Sequence, residues 1–509
     1  MEDADLDVCL ALPEARRGEV EEREVVLLRE VLDLVDDPRE PSIARVLRSR
    51  EIVEKSRELA LEAFGVHGRR IADAATVDAA GDRVASEAMP AGATGDDSRI
   101  LKRVGRVDPR AALAKLTSPT MRPFWTMTAI RAGYWLAAIV AVLWVPVQRT
   151  IPHFSADGPH LSLVFNVFAQ WDSGWFIRIA DRGYDVEQSA SFFPLYPLLV
   201  RGVAEVVRST VIAGVLVSVV AAGIAAIAVF KIAQRLVGEA VASDSVLFLA
   251  LFPFAFVFTA VYSDALFLAL ASWSLLAAQR QQAVLASLLG GLAVATRPMG
   301  LALVPALLVL LWPEKRSARS IVRPLALVLL PAALGAYALY LHFHFGDAGA
   351  FYHSQNVFWL RETPSLGPLQ GAWDALRTAK EGAAELLLHL PADNGYPGGF
   401  EDSQQRGTWN LLQGLLLVLA AGLTWVVWKR LGAAFGVYSA AVIAIVLSTP
   451  AAVVPLVSFP RFLIADFPLF IALAAVATPR PRLRLGVIIG FAAIGGMAAV
   501  GFSRGVWIA

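Results

Sequence analysis

Long apolar runs follow one another through most of the chain, and they restrict the kind of fold that it can adopt. Hydrophobic residues make up 56% of the 509 residues, and the mean hydropathy is +0.57, whereas soluble domains contain roughly 45–50% apolar residues. A membrane-spanning helix needs about 20 mainly apolar residues. The sequence therefore predicts an all-α polytopic membrane protein with about eleven transmembrane helices, near residues 129–147, 210–232, 243–261, 264–279, 282–296, 299–312, 324–345, 408–428, 433–457, 462–478 and 485–503.

Lysine and arginine residues fall in alternate loops between these spans. Such loops remain on the cytoplasmic side of a membrane. If the N-terminus is cytoplasmic, the short cytoplasmic loops receive Lys231, Arg235, Arg280, Lys315, Arg316, Arg319, Arg323, Lys429, Arg430, Arg480, Arg482 and Arg484. This arrangement leaves two long loops on the outer side, at about residues 148–209 and 346–407.

Residues 1–120 form an expected cytoplasmic tail that contains no apolar run long enough to span. Residues 1–110 hold 25 acidic and 18 basic residues and so are acidic overall. Amphipathic helices are expected at 20–35 and 42–64, and the Ala-, Gly- and Asp-rich stretch 74–97 is typical of disorder. Two interpretations remain open: a regulatory or docking tail, or an over-long reading of the gene, since Met121 and Met127 directly precede the first span. Residues 121–509 are then the membrane domain.

Several classes of function are not supported by the sequence. The single Cys9 excludes an intramolecular disulfide and a cysteine metal cluster. No Rossmann glycine motif, P-loop or His-Glu-x-x-His motif occurs. We expect no nucleic-acid partner.

One stretch carries the most informative chemistry. Residues 166–184 read NVFAQWDSGWFIRIADRGY, and residues 192–198 read FFPLYPL. At helical spacing the apolar stripe runs from Phe168 through Trp171 and Trp175 to Ile179, with Asp172 as its one charge. A charge on a buried face is costly unless it is paired or used. Asp172 is either an N-cap or structural ion pair, or a catalytic carboxylate at the membrane surface.

Three further polar groups interrupt apolar segments on the predicted outer side. Asp264, in Tyr262-Ser-Asp264, is either a helix N-cap or a binding residue. Arg297 and Arg461 each lie between two apolar runs, and Arg297 has no acidic residue near it in sequence. An arginine at membrane depth indicates function, and its natural outer-face partner is a phosphate; a snorkelling interfacial arginine is the alternative. The spacing of His342, His344 and His353 does not favour a metal site.

These motifs resemble those of the PIG-V-type mannosyltransferases, relatives of the second mannosyltransferase of GPI-anchor synthesis within the GT-C class of membrane glycosyltransferases. The resemblance covers roughly residues 125–480 and rests on residues 171–184, 192–197, 252–264, 295–300 and 459–463. Gly174-Trp175 is similar to the bacterial branch of the family, where no GPI anchor is built. The resemblance implies a GT-C-like fold in a bacterial cytoplasmic membrane, with interfacial helices in the first outer loop and the active site on the extracytoplasmic face.

The resemblance also implies a reaction. Mannose would move with inversion from polyprenyl-phosphate-mannose to a lipid-linked or glycan acceptor, with Asp172 as the general base. Arg297 and Arg461 are the candidates for binding the donor phosphate. Trp171, Trp175, Tyr262 and Asp264 are candidate substrate-binding residues, although anchoring is favoured for the tryptophans. No cofactor is identified with certainty; a divalent cation is left open, because only Asp181, Asp185 and Glu187 offer further carboxylates, and these are expected at the surface.

Two other classes of function compete with the enzyme. A transporter or flippase for a lipid-linked sugar would share the spans and basic groups, but transporters place polar groups at the membrane midplane and often contain inverted repeats. Here the polar groups fall on one predicted face, and no repeat is evident. An inert scaffold docked through the tail would leave Asp172 without a role.

Overall fold

The structure is a computed structural model, and it describes residues 118–144, 164–165, 167–312, 324–388, 403–451 and 454–506. The expected tail at 1–120 lies outside the described residues except for its last three positions. In the described residues, the regular structure is helical, apart from one isolated antiparallel bridge between Arg361 and Ala451.

The α-helices are numbered here in chain order. The first eight are α1 (Arg122–Trp144), α2 (Asp172–Arg182), α3 (Leu195–Val207), α4 (Thr210–Val237), α5 (Glu239–Leu251), α6 (Asp264–Gln279), α7 (Ala283–Thr296) and α8 (Leu303–Leu311). The others are α9 (Leu329–Phe345), α10 (Ala350–Trp359), α11 (Pro368–Leu388), α12 (Ser403–Leu431), α13 (Ala433–Leu447), α14 (Phe459–Phe462), α15 (Phe467–Ala477) and α16 (Pro481–Ser503).

The predicted all-α polytopic membrane architecture is confirmed, and each of the predicted spans contains a helix. In the described part of the chain, five helical segments are long and apolar enough to cross a membrane: Pro119–Val142, Thr210–Val237, Ala326–Phe345, Arg406–Leu431 and Pro481–Ser503. The remaining predicted spans contain shorter helices. Helix α7, with 14 residues, is only about 21 Å long at 1.5 Å per residue, less than the roughly 30 Å of a hydrocarbon core.

The short helices are surrounded by other helices. Most residues of α6 and α15 are buried, whereas in the long segments, except for α4, only 22–28% of the most apolar 18-residue window is buried. Small residues permit close approach between helices, as is usual in membrane bundles. A Cβ at Gly371 of α11, for example, would overlap the backbone carbonyl of Leu447 in α13.

The ends of the short helices meet in two groups. Helices α6 and α7 are antiparallel, because only Arg280, Gln281 and Gln282 separate them, so the start of α6 and the end of α7 lie at the same end of the bundle. At the opposite end, Gln281 donates to the carbonyl of Leu310, 2.9 Å away. The start of α6 and the end of α7, predicted on the outer side, thus lie at one end of the bundle, and the α6–α7 turn, predicted on the cytoplasmic side, lies at the other.

Candidate active site

Asp172 is the first residue of α2, and this position corrects the predicted helical stripe. Trp171, directly before it, has φ 56° and ψ −122°, a conformation that a non-glycine residue rarely adopts. The helix therefore begins at Asp172, and Phe168 and Trp171 precede it. Ser173, which is not part of that apolar stripe, is also buried, and its hydroxyl donates to the Phe168 carbonyl at 3.2 Å.

Aromatic packing fixes α2 in place. The ring of Phe176 meets the rings of Phe192 and Tyr196 edge-on, with centroids 5.1 and 5.0 Å apart. Tyr196 is fully buried in α3, and its hydroxyl lies 2.8 Å from that of Ser218. The short helix α3 thus packs against the helix that carries Asp172.

Four charged side chains form a continuous ion cluster in front of α2. Arg461 donates from Nη1 to Oδ2 of Asp172 at 2.7 Å, and its Nε lies 3.8 Å from Oδ1 of Asp264. Arg297 donates from Nη1 to the same Oδ1 of Asp264. The order is Asp172, Arg461, Asp264, Arg297, so that opposite charges alternate.

Arg297 has no acidic residue near it in sequence, but the fold gives it Asp264 as a partner. Asp264 begins α6 and Arg297 follows α7, and the antiparallel pairing of these helices joins residues that are 33 positions apart. All four side chains have low exposure, with 24% for Asp172 and 12% or less for the other three. Buried charges need such partners.

Two aromatic rings lie against the cluster. The guanidinium carbon of Arg461 lies 5.2 Å from the ring centroid of Tyr262, whose hydroxyl donates to the Gln170 carbonyl at 3.4 Å. The ring of Phe462 has three arginine neighbours, with guanidinium-to-centroid distances of 5.3 Å for Arg297, 5.4 Å for Arg461 and 5.7 Å for Arg361. Cation–π contacts of this kind favour positive charge in an otherwise apolar surrounding.

The cluster faces a cavity of about 550 Å³, a typical size for a small-molecule site. Charged and aromatic side chains both line it. The described charged lining residues are Asp172, Asp264, Arg297, Arg361 and Arg461, and the described aromatic ones include Phe192, Phe193, Phe351, Tyr352, Phe358 and Trp359.

Arg361 was not found by the sequence reasoning. It follows α10 in a loop predicted from the sequence to lie on the outer side, where a charged residue is ordinary, and so nothing in the pattern distinguishes it. Its one unusual local feature, the left-handed conformation of Leu360 (φ 50°, ψ 35°), is not visible in the sequence.

Several other sequence candidates lie apart from the cavity lining. Trp171 packs against the main hydrophobic core, and Trp175 stacks on Phe192 with centroids 5.8 Å apart. Neither tryptophan is among the described residues that line the cavity. Their positions agree with anchoring of α2.

The acidic candidates for a cation are engaged with protein groups. Asp181 accepts from the Thr210 hydroxyl at 2.5 Å, and Asp185 accepts from Nε of Arg178 at 2.8 Å, which holds the pKa of Asp185 below its usual value. No group of three or more His, Cys, Asp or Glu side chains suited to a metal ion occurs among the described residues.

The histidines also contact protein groups. His344 contacts the carbonyl of Tyr184, and His353 contacts Asp347 through Nδ1 at 2.6 Å. This contact with His353 is the main reason that the pKa of Asp347 lies below its usual value.

The fold and site define a polytopic helical membrane protein with an ion cluster in a cavity at one end of the bundle. Residues 146–316 match the model of the mannosyltransferase (PIG-V) family. The matched range contains Asp172, Asp264 and Arg297, whereas Arg361 and Arg461 lie beyond it. No curated protein matches the chain.

Proposed function

We propose that the protein transfers mannose, with inversion, from polyprenyl-phosphate-mannose to a hydroxyl of a lipid-linked or glycan acceptor, with Asp172 as general base. The observation that supports this most is the meeting of Asp172 with Arg297 and Arg461 in one cavity, although they are far apart in the sequence. The match of residues 146–316 to the mannosyltransferase (PIG-V) family model supports mannose as the transferred sugar.

Asp172 is placed to accept a proton. Its carboxylate has two oxygens, and the contact with Arg461 uses Oδ2; we assign the acceptor hydroxyl to Oδ1. As the acceptor oxygen bonds to the anomeric carbon, its proton passes to Asp172. The bond from the anomeric carbon to the phosphate oxygen breaks, and its electron pair remains on the phosphate. Phosphate leaves readily, so no second carboxylic acid is needed, in contrast to glycoside hydrolysis.

The arginines supply positive charge where negative charge develops. A phosphate oxygen between Arg297 and Arg461 would receive charge-assisted hydrogen bonds, which strengthen as the phosphate departs. By taking a hydrogen bond from Arg461, the phosphate would also loosen the hold of Arg461 on Asp172. Asp264 acts as a positioning residue, because it contacts both arginines.

The proposed location is the extracytoplasmic side of a bacterial cytoplasmic membrane, with the N-terminus cytoplasmic. Arg297 and Arg461 lie at one end of the bundle, and the basic residues Arg280, Arg480 and Arg484 adjoin helix ends at the other. Basic residues favour the cytoplasmic side. The bacterial assignment rests on Gly174-Trp175.

The donor and the orientation can be tested together in sealed right-side-out vesicles that contain the protein. Labelled polyprenyl-phosphate-mannose in the outer leaflet should label an acceptor, whereas an external nucleotide-linked mannose should not. Labelling from the nucleotide sugar alone would contradict the proposed donor. Movement of the labelled donor to the inner leaflet without sugar transfer would indicate a flippase instead.

A further inference from the structure

The helix α10 lines the cavity along one of its faces. Its described lining residues are Phe351, Tyr352, Gln355, Phe358 and Trp359. These positions recur at helical spacing, so they lie on the same side of the helix. Gln355 is in the middle of this face, with aromatic residues before and after it. Among the described lining residues, it is the only one with a side-chain amide.

Two contacts hold α10 close to the helix that carries Asp172. The hydroxyl of Ser354 lies 2.7 Å from that of Ser191, in the segment between α2 and α3. The ring of Trp359 lies 6.4 Å from the ring of Trp175, measured between centroids. Trp175 belongs to α2 and follows Asp172 by about one helical turn. The end of α10 therefore meets α2 close to Asp172.

The chain that leaves α10 also approaches the ion cluster. The guanidinium carbon of Arg361 lies 5.7 Å from the centroid of the Phe462 ring, and that of Arg461 lies 5.4 Å from the same ring. Arg461 donates in turn to Asp172 at 2.7 Å. The lining face of α10 and the ion cluster thus border the same cavity close together, and a ligand that fills the cavity contacts both.

The side-chain amide of Gln355 is free to bind a ligand. The backbone carbonyl of Gln355 accepts from the amide of Arg361 at 3.2 Å, but its half-buried side chain makes no hydrogen bond to a described residue. The lining hydroxyls of Thr296 and Ser448, by contrast, donate to backbone carbonyls at 2.9 and 2.7 Å. A glutamine amide carries its donors and its acceptor on separate atoms, so it can bind two neighbouring hydroxyls at once.

We propose that Gln355 binds hydroxyl groups of the transferred sugar and contributes to the choice of that sugar. This inference rests on the proposed function. With the phosphate at the arginines and the anomeric carbon near Asp172, the other carbons of the sugar ring and their hydroxyls meet the uncharged lining. A few polar groups in an otherwise apolar pocket fix the orientation of a ligand. A site that hydrogen-bonds a hydroxyl also discriminates against an analogue that lacks it.

The test compares full-length wild type with Q355L, Q355A and the control Q234L, all purified in lipid nanodiscs. Leucine keeps most of the volume of glutamine and removes its hydrogen-bonding groups. Gln234 is exposed in α4 and is not among the described residues that line the cavity. Transfer kinetics are measured with polyprenyl-phosphate-mannose and with a series of analogues, each of which lacks one hydroxyl of the sugar. The thermal unfolding profile of each variant shows whether it is folded.

We expect Q355L to lower kcat/KM for the complete donor by roughly 5- to 100-fold, the usual effect of leaving a hydrogen-bonding group without its partner. The analogue without a hydroxyl that meets Gln355 should react slowly with wild type, and Q355L should slow it no further. The remaining analogues should lose as much in Q355L as the complete donor does. Q234L should transfer as wild type does. If Q355L does not fold, Q355A carries the test.

The results separate this inference from the proposed function. Transfer by wild type, combined with an unchanged kcat/KM in the Gln355 variant or with the same loss for the complete donor and every analogue, would overturn the inference and leave the function standing. Absence of sugar transfer by wild type would contradict the function, and equilibrium binding would then decide the inference.

In that binding measurement, the Gln355 variant should bind polyprenyl-phosphate-mannose more weakly than wild type does and polyprenyl monophosphate equally well. This result would support the contact with the sugar. Unchanged binding of both ligands, an equal weakening of both, or no binding to wild type would overturn the inference.

Discussion

Replacement of Asp264 by asparagine tests the ion cluster through its most connected member. The Asp264 side chain is 4% exposed, and it contacts Arg297 and lies 3.8 Å from Nε of Arg461. At an effective dielectric constant of about 20, one such contact is worth about 4 kcal/mol. Removal of one partner from a buried ion pair costs about 3–5 kcal/mol. We therefore expect D264N to reduce the free energy of unfolding by about 3–5 kcal/mol. For a chain of this size, that loss lowers Tm by on the order of 5 °C.

The assay is thermal unfolding of purified protein in lipid nanodiscs, followed by tryptophan fluorescence at one fixed scan rate. D185N is the matched control, because Asp185 also pairs with an arginine, Arg178, but at 31% and 38% side-chain exposure. Exposed pairs contribute little, so the Tm of D185N should stay close to that of wild type. The double variant D264N/R297Q should recover part of the stability, because it leaves no arginine without its partner.

Two results would refute this reasoning. If D264N melts at the wild-type temperature, the contacts of Asp264 do not stabilise the bundle. If D264N/R297Q is as unstable as the sum of the two single variants, Asp264 and Arg297 act independently and the pair is not the source of the effect.

Three further predictions concern backbone strain, the opposite end of the bundle and pH. Ser458 has φ 66°, a conformation that costs a non-glycine residue about 1 kcal/mol of backbone strain. S458G should relieve this strain and raise Tm slightly; a lower Tm would show that the serine side chain stabilises the loop. D244N removes the negative charge and one of the two carboxylate oxygens that accept from Arg484, at 2.7 and 2.8 Å, and should lower Tm while the KM for the donor stays unchanged; a large rise in KM would mean that the two ends are coupled. The hydrogen bond from Arg178 holds the pKa of Asp185 below its usual value, so its stabilising contribution is present above about pH 4 and is lost as the pH falls. The small Tm difference between wild type and D185N should therefore shrink progressively below about pH 4, and a difference that grows there would contradict this sign.

The sequence was sufficient for the architecture and for the residues that stand out chemically. Apolar runs predicted the helices, and charges within apolar surroundings drew attention to Asp172, Asp264, Arg297 and Arg461. The structure brings these four together in one cluster. The sequence identifies these four residues because a buried charge is costly and is seldom found in an apolar segment without a partner or a role.

Which acidic residue pairs with which arginine could not be predicted from the sequence. Arg461 and Asp172 are 289 positions apart, and no local pattern encodes their contact. The start of α2 depends on the backbone conformation of Trp171, and the location of Arg361 depends on that of Leu360. Both are non-glycine residues with positive φ, which are set by tertiary packing rather than by local sequence preference.

The central claim, that Asp172 is the general base, is tested most directly by mannose transfer in the D172N variant. Labelled polyprenyl-phosphate-mannose is supplied to membranes that contain wild type, D172N or the control D185N, and label in the acceptor fraction is measured. We predict that D172N loses roughly 100- to 10,000-fold in rate while it still binds polyprenyl monophosphate, and that D185N transfers at the wild-type rate. Transfer by D172N at most of the wild-type rate would contradict the claim.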